Sequence, residues 1–129
     1  MKLHIKDGLP FTEIILMHNG KEVLIENVLI DTGSASTIIS TDVAILLDLG
    51  PNPDDELIRV RGVGGAEYVY EKCIDGIALG SVTVNNFRID VGAMDYGFDI
   101  NAIVGMDFLL KAKAIINIDR MIIYSSHSA

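Results

Sequence analysis

The chain is patterned as strands. Short runs rich in apolar and β-branched residues recur, each bounded by Gly, Pro, Asn or Asp. Phe11 to Met17 is the first such run. His18-Asn19-Gly20-Lys21 follows, and Asn-Gly between two apolar runs predicts a type I′ hairpin that returns along Glu22 to Ile30. A small polar island, Asp31-Thr32-Gly33-Ser34, interrupts the pattern before Thr37-Ile38-Ile39 resumes it. Ser40 is placed to cap a short helix over Thr41 to Asp48, with Asp42 near its positive end. Pro51 and Pro53 make Leu49 to Asp55 a loop.

Leu57 to Arg61 and Ala66 to Ile74 read as two strands joined by Gly62-Val63-Gly64-Gly65. Asp75-Gly76 and Gly80-Ser81 predict turns, and Val82 to Val91 another strand. Gly92 to Ile100 reads as a loop. Ala102-Ile103-Val104-Gly105 is a short apolar strand, followed by a short helix over Met106 to Lys113. Ala114 to Ile118 and Met121 to Tyr124 form a closing hairpin over Asp119-Arg120. Nothing divides the chain compositionally, so one domain over residues 1–129 is expected, with residues 1–10 and the tail from Ser125 to Ala129 peripheral.

Composition narrows the function classes. The 129 residues can bury a substantial core, and with half of them apolar a face covered by a partner is plausible. The net charge of −8 argues against non-specific nucleic-acid binding, which needs basic patches. No apolar run approaches the roughly 18 residues of a membrane span, and Met1 to Pro10 lacks the apolar centre of a signal peptide. A cytoplasmic protein without membrane attachment is the expectation. The single cysteine, Cys73, leaves no intrachain disulfide or Cys-rich zinc site and reads as a small strand hydrophobe. His4, His18 and His127 are far apart, so neither a metal nor a cofactor is expected.

The polar island carries the chemistry. A carboxylate at the end of a buried strand must be hydrogen-bonded, paired or functional. Gly33 allows a tight turn that brings amide N–H groups to Asp31, and Thr32 and Ser34 add hydroxyls. One acid alone does little peptide hydrolysis. Two carboxylates sharing a proton do more, one acting as base toward water while the other donates. The chain holds a single Asp-Thr-Gly, so the second acid must come from a copy of itself across a two-fold axis.

On these residues the chain resembles the retropepsin-like aspartic peptidases, the single-domain dimeric relatives of pepsin. Val28-Leu29-Ile30-Asp31-Thr32-Gly33-Ser34 is similar to the family's active-site strand and loop. Gly62-Val63-Gly64-Gly65 resembles its glycine-rich flap tip, and Ala102 to Gly105 with Met106-Asp107-Phe108-Leu109-Leu110 its late hydrophobic-Gly strand and helix. A phosphate loop fits worse, because Glu67 stands where the last glycine of G-x-G-x-x-G belongs.

The resemblance implies an all-β fold, a closed barrel of the acid-protease half type with one or two short helices and a flap hairpin. It implies a homodimeric aspartic endopeptidase, a hydrolase of peptide or protein substrates. Asp31 of each subunit would form the dyad, Thr32 would interlock the two loops, and the Gly33 carbonyl would hold substrate main chain. Ala35, Gly62, Val63, Gly64, Gly65 and Ile103 would contact substrate, with Ile38 and Asn101 nearby. Ser34 matches the pepsin-like form of the motif. A hydroxyl donated to the ionised acid would stabilise its charge, so an acidic pH optimum is expected.

The chain departs from retroviral members in two ways. They carry an acid two residues after the Gly, paired with an Arg in the late helix, where this chain has Ala35 and Met106. They also end on one strand of an interdigitated dimer sheet, where this chain adds a second. These departures leave a second reading open, a catalytically idle dimerisation or peptide-binding module.

Overall fold

The structure is a computed structural model and describes residues 1–62, 65–94 and 99–126. In chain order its elements are β1 (His4–Lys6), β2 (Leu9–His18), β3 (Lys21–Ile30), β4 (Ile38–Ser40), α1 (Thr41–Leu46), β5 (Leu57–Gly62), β6 (Gly65–Leu79), β7 (Val82–Gly92), β8 (Ala102–Val104), α2 (Met106–Lys111), β9 (Ala114–Asn117) and β10 (Ile122–Ser125). The all-β class with two short helices is as expected. The Asn19-Gly20 turn has positive φ at both residues, 49° and 79°, as a type I′ hairpin requires. Ser40 caps α1 by accepting from Val43 N at 3.2 Å.

The main sheet runs β1-β2-β3-β8-β4-β7-β6-β5, and β2 pairs a second time with β6, which brings the sheet back on itself. At its centre β3 and β8 are parallel, β8 and β4 antiparallel, β4 and β7 parallel. Directly paired residues share a face, so the register sorts the side chains. Val28, Ile30, Ala102, Val104, Ile39, Val91 and Tyr70 lie on one face and join the main core. The opposite face carries a row across the sheet, Phe11–Leu29–Ile103–Ile38–Asp90–Glu71. Phe11, Leu29 and Ile103 there form a second apolar cluster with Ile100. Helix α2 is anchored by Phe108, fully buried and edge-on to Phe87 with ring centroids 6.0 Å apart.

Several sequence expectations change. Strand β6 runs straight through Asp75-Gly76, where a turn was expected. Gly76 serves close packing instead: a Cβ there would lie 2.9 Å from Met17 Cε on the neighbouring strand. The N-terminal segment is not peripheral. Lys2 bridges Ile122, Leu3 N donates to Met121 O at 2.8 Å, Ile123 N donates to Met1 O at 2.9 Å, and the Leu3 side chain is in the core. The first residues thus line the free side of β10, whose other side pairs with β9. The tail is tied further than expected, with Ser125 buried in β10 and Ser126 N donating to Lys113 O at 2.9 Å. Cys73 is an exposed strand residue rather than a packed one.

Candidate active site

Asp31 directly follows the last residue of β3. Its amide donates to Val104 O at 2.9 Å, extending the parallel β3–β8 pairing by one step. The chain then turns: Ser34 N donates to Asp31 O at 3.1 Å, and Gly33 N donates to the carboxylate at Oδ1 at 2.9 Å. Thr32 and Gly33 are exposed and Asp31 is half-buried. The result is a carboxylate held by one backbone N–H on a rigid turn, with solvent access for a water or a second acid.

Ser34 does not act as expected. Its hydroxyl donates to Ser36 O at 2.8 Å. That spends its one proton locally, as serine does in tight turns. The hydrogen bond to the Asp31 carboxylate comes from Gly33 N, and the acidic optimum expected from Ser34 loses its basis.

The far side of the loop is clasped by the strand-to-helix turn of residues 104–108. Met106 N donates to Ser34 O at 2.8 Å and Asp107 N to Ala35 O at 3.2 Å. The loop's carbonyls thereby cap amides at the start of α2 that have no intrahelical acceptor. In return Asp107 holds Thr37: Thr37 Oγ1 donates to Oδ1 at 2.7 Å and Thr37 N to Oδ2 at 3.1 Å. Thr37 is fully buried, and its hydroxyl also accepts from Gly105 N at 3.1 Å. Gly105 has no room for a side chain. A Cβ there would meet Ser36 O, with Ser36 C at 2.7 Å and Ser34 O at 2.8 Å.

Asp90 stands beside this clasp. Its amide donates to Thr37 O at 3.0 Å, and the residue is buried. Burial pushes its carboxyl above the usual carboxylate range; the Ser36 hydroxyl opposes this, Glu71 and Asp107 add to it, and Arg88 opposes it. Arg88 itself pairs with Glu71 at 2.9 Å.

The aspartyl protease family matches residues 14–108 of this sequence. The chain belongs to that family. A search of curated proteins found no match. Among solved structures, the chain is similar to a retropepsin-like aspartic protease from Rickettsia conorii, at 17% identity and a TM-score of 0.67, over 95% of this chain and 86% of that one. At that identity the likeness speaks for the fold, and the fold is retropepsin-like.

The sequence-predicted residues fall into four groups in this chain of the aspartyl protease family. Asp31, Thr32, Gly33, Ser34 and Ala35 share one loop, and Ile103 lies on the strand beside it, buried in the second apolar cluster. Gly62 and Gly65 pair with each other at the end of the β5–β6 hairpin. Val63 and Gly64 lie outside the described residues. Asn101 is occupied elsewhere, its side chain donating to Glu26 O at 2.8 Å. Sequence reasoning missed Thr37 and Asp90, and it passed over Asp107 as a neighbour of Met106. The available signal was the small-polar run Ser34-Ala35-Ser36-Thr37 ahead of a strand, matched by an acid in the first turn after Gly105.

Proposed function

We propose that this chain is an aspartic endopeptidase that works as a homodimer, with Asp31 of each subunit forming the catalytic dyad. The observation that carries the reading is the Asp31 turn. Its carboxylate is fixed by Gly33 N and left accessible, in a chain of the aspartyl protease family that holds a single Asp-Thr-Gly. Two such acids on a two-fold axis share one proton, because close like charges separate their titrations.

The ionised acid takes a proton from water as the water oxygen bonds to the peptide carbonyl carbon. The protonated acid hydrogen-bonds the carbonyl oxygen as charge develops there. Collapse breaks the C–N bond, and the departing nitrogen takes a proton from the dyad. The pair ends with one proton between them, as it began. In this reading the Gly33 carbonyl accepts from substrate main chain. The β5–β6 hairpin, with Gly62 and Gly65 at its end, is the lid in this reading.

The idle-module reading drew on the missing acid–Arg pair at Ala35 and Met106. Thr37 and Asp107 tie the same loop to the same helix by hydrogen bonds, so that motive for it weakens. Purified chain should cleave an apolar peptide library, be blocked by a statine-type inhibitor and sediment as a dimer. Asp31→Asn should cut the rate by roughly 10²–10⁴-fold, the range for losing acid–base catalysis. Undiminished cleavage by Asp31→Asn, or cleavage by a chain that stays monomeric, would refute the dyad.

A further inference from the structure

We propose that Asp107 is the positioning residue for Asp31, acting through Thr37 to hold the loop in its working geometry. Its kinetic consequences rest on the peptidase reading; its structural ones do not. The argument starts from the loop's own bonds. Between Asp31 and Thr37, the local contacts are the Gly33 and Ser34 amides turning back on Asp31 and the Ser34 hydroxyl on Ser36 O. None of these ties the loop to the rest of the fold. At its start the tie is Asp31 N on Val104 O, and in its middle Met106 N and Asp107 N hold the Ser34 and Ala35 carbonyls. At its end the ties are Asp90 N on Thr37 O and the Thr37–Asp107 contact, the one of these made by side chains.

From α2, the Asp107 side chain hydrogen-bonds to the end of the loop at Thr37. Every donor it meets is aimed at an oxygen. Oδ1 receives Thr37 Oγ1 and Phe108 N, both at 2.7 Å, and Oδ2 receives Thr37 N at 3.1 Å. Thr37 passes the constraint on by accepting from Gly105 N, which adjoins Val104, the residue whose carbonyl holds Asp31. The path from Asp107 to Asp31 is thus Thr37, Gly105, Val104 and back to Asp31, a closed loop of contacts. It stands where the resemblance leads one to expect an acid–arginine ion pair, and it joins the loop to the helix by a threonine–carboxylate contact instead.

The chemistry makes asparagine a sharp probe. An amide keeps one acceptor oxygen, so whichever way it turns, its NH₂ faces Thr37 N–H or Phe108 N–H. Asp107→Asn therefore opens the clasp with almost no change in volume. Thr37→Val removes the bridging hydroxyl isosterically, and Thr37→Ser retains it. The fully buried Ile123, packed in the main core and without a role in the loop, supplies a destabilised control through Ile123→Val.

The test uses the full chain and two readouts. The first is kcat and KM on a cleaved peptide. The second is the ¹³C signal of the Asp31 carboxyl followed through its pH titration, which needs no turnover. Asp107→Asn and Thr37→Val should lower kcat by about ten- to a hundredfold, as sub-ångström misplacement does. KM should stay within about twofold, because ground-state binding is untouched. The Asp31 carboxyl signal should move in both. Thr37→Ser and Ile123→Val should resemble wild type in both readouts even where their melting temperatures fall. The proposal is overturned if Asp107→Asn and Thr37→Val lower stability yet leave kcat and the Asp31 signal as they are in Ile123→Val. If Asp107→Asn does not fold, the contrast between Thr37→Val and Thr37→Ser decides. If wild type cleaves nothing, the peptidase reading fails alone. The Asp31 signal then decides the positional claim, a shift supporting it and an unchanged signal sinking it.

Discussion

Gly105→Ala tests how tightly the Asp31 loop is seated on the turn behind it. Gly105 has φ −101° and ψ −173°, an extended conformation that alanine adopts without strain, so the substitution adds a methyl group and no backbone penalty. That methyl meets backbone on the loop side: Ser36 O, Ser36 C at 2.7 Å and Ser34 O at 2.8 Å. Backbone cannot rotate away as a side chain can, so the loop must shift as a unit. Overpacking of this kind costs about 1–3 kcal/mol. A shift of Gly105 also loosens its amide bond to Thr37 Oγ1, worth about 1 kcal/mol. The expected loss is therefore about 2–4 kcal/mol, or roughly 5–15 °C in melting temperature for a chain of this size.

Gly76→Ala provides the internal comparison. Its Cβ would lie 2.9 Å from Met17 Cε, the flexible end of a side chain that can move. That change should cost less than about 1 kcal/mol. Denaturant unfolding of both variants, with midpoint and slope fitted separately, measures the difference. A Gly105→Ala loss below about 0.5 kcal/mol, or one no larger than that of Gly76→Ala, would refute the claim of backbone-on-backbone seating.

Ser34→Ala should cost about 0.5–1.5 kcal/mol for the lost bond to Ser36 O. It should leave the acid limb of the pH–rate profile where it is, and a displaced limb would mean that the hydroxyl does reach Asp31 in the working dimer. Asp90 carries a pH-dependent stability of defined sign. Its folded-state carboxyl is raised by burial, so between the unfolded and folded values the native state binds more protons and stability falls as pH rises. Asp90→Asn removes that slope, and relative to wild type it should be more favourable at pH 7 than at acid pH. The opposite trend in urea midpoints would show that the ionised carboxylate stabilises the fold.

The legible parts of the structure are those encoded locally. Asn19-Gly20 specifies its turn by itself, and Ser40 caps α1 from one residue away. Asp31 stood out because an acid ends an otherwise apolar strand. What the sequence hid depends on distant partners. Thr37 and Asp107 are 70 residues apart, and the small-polar run at one and the first-turn acid at the other acquire meaning only once the fold brings them together. Asp90 reads as an ordinary polar position in a half-buried strand until the parallel pairing with β4 buries it beside Thr37. Ser34 was misread because a nearby backbone carbonyl outcompeted the carboxylate for its proton. Asp75-Gly76 looked like a turn because glycine breaks strands, whereas here it accommodates a methionine from the facing strand.

The pairing of the first residues with β10 bears on how two copies meet. Met1 to Leu3 spend their backbone groups on Met121 and Ile123 of the same chain. Those groups are therefore not free to pair with a second chain. Under the dyad reading, a partner would dock against this already paired sheet instead of trading these strands, and association would be a mass-action equilibrium between folded species. Under the dyad reading, protein concentration alone would serve as the on-switch. Dilution would silence the enzyme without denaturing it, and turnover per chain would climb with total protein until the dimer saturates.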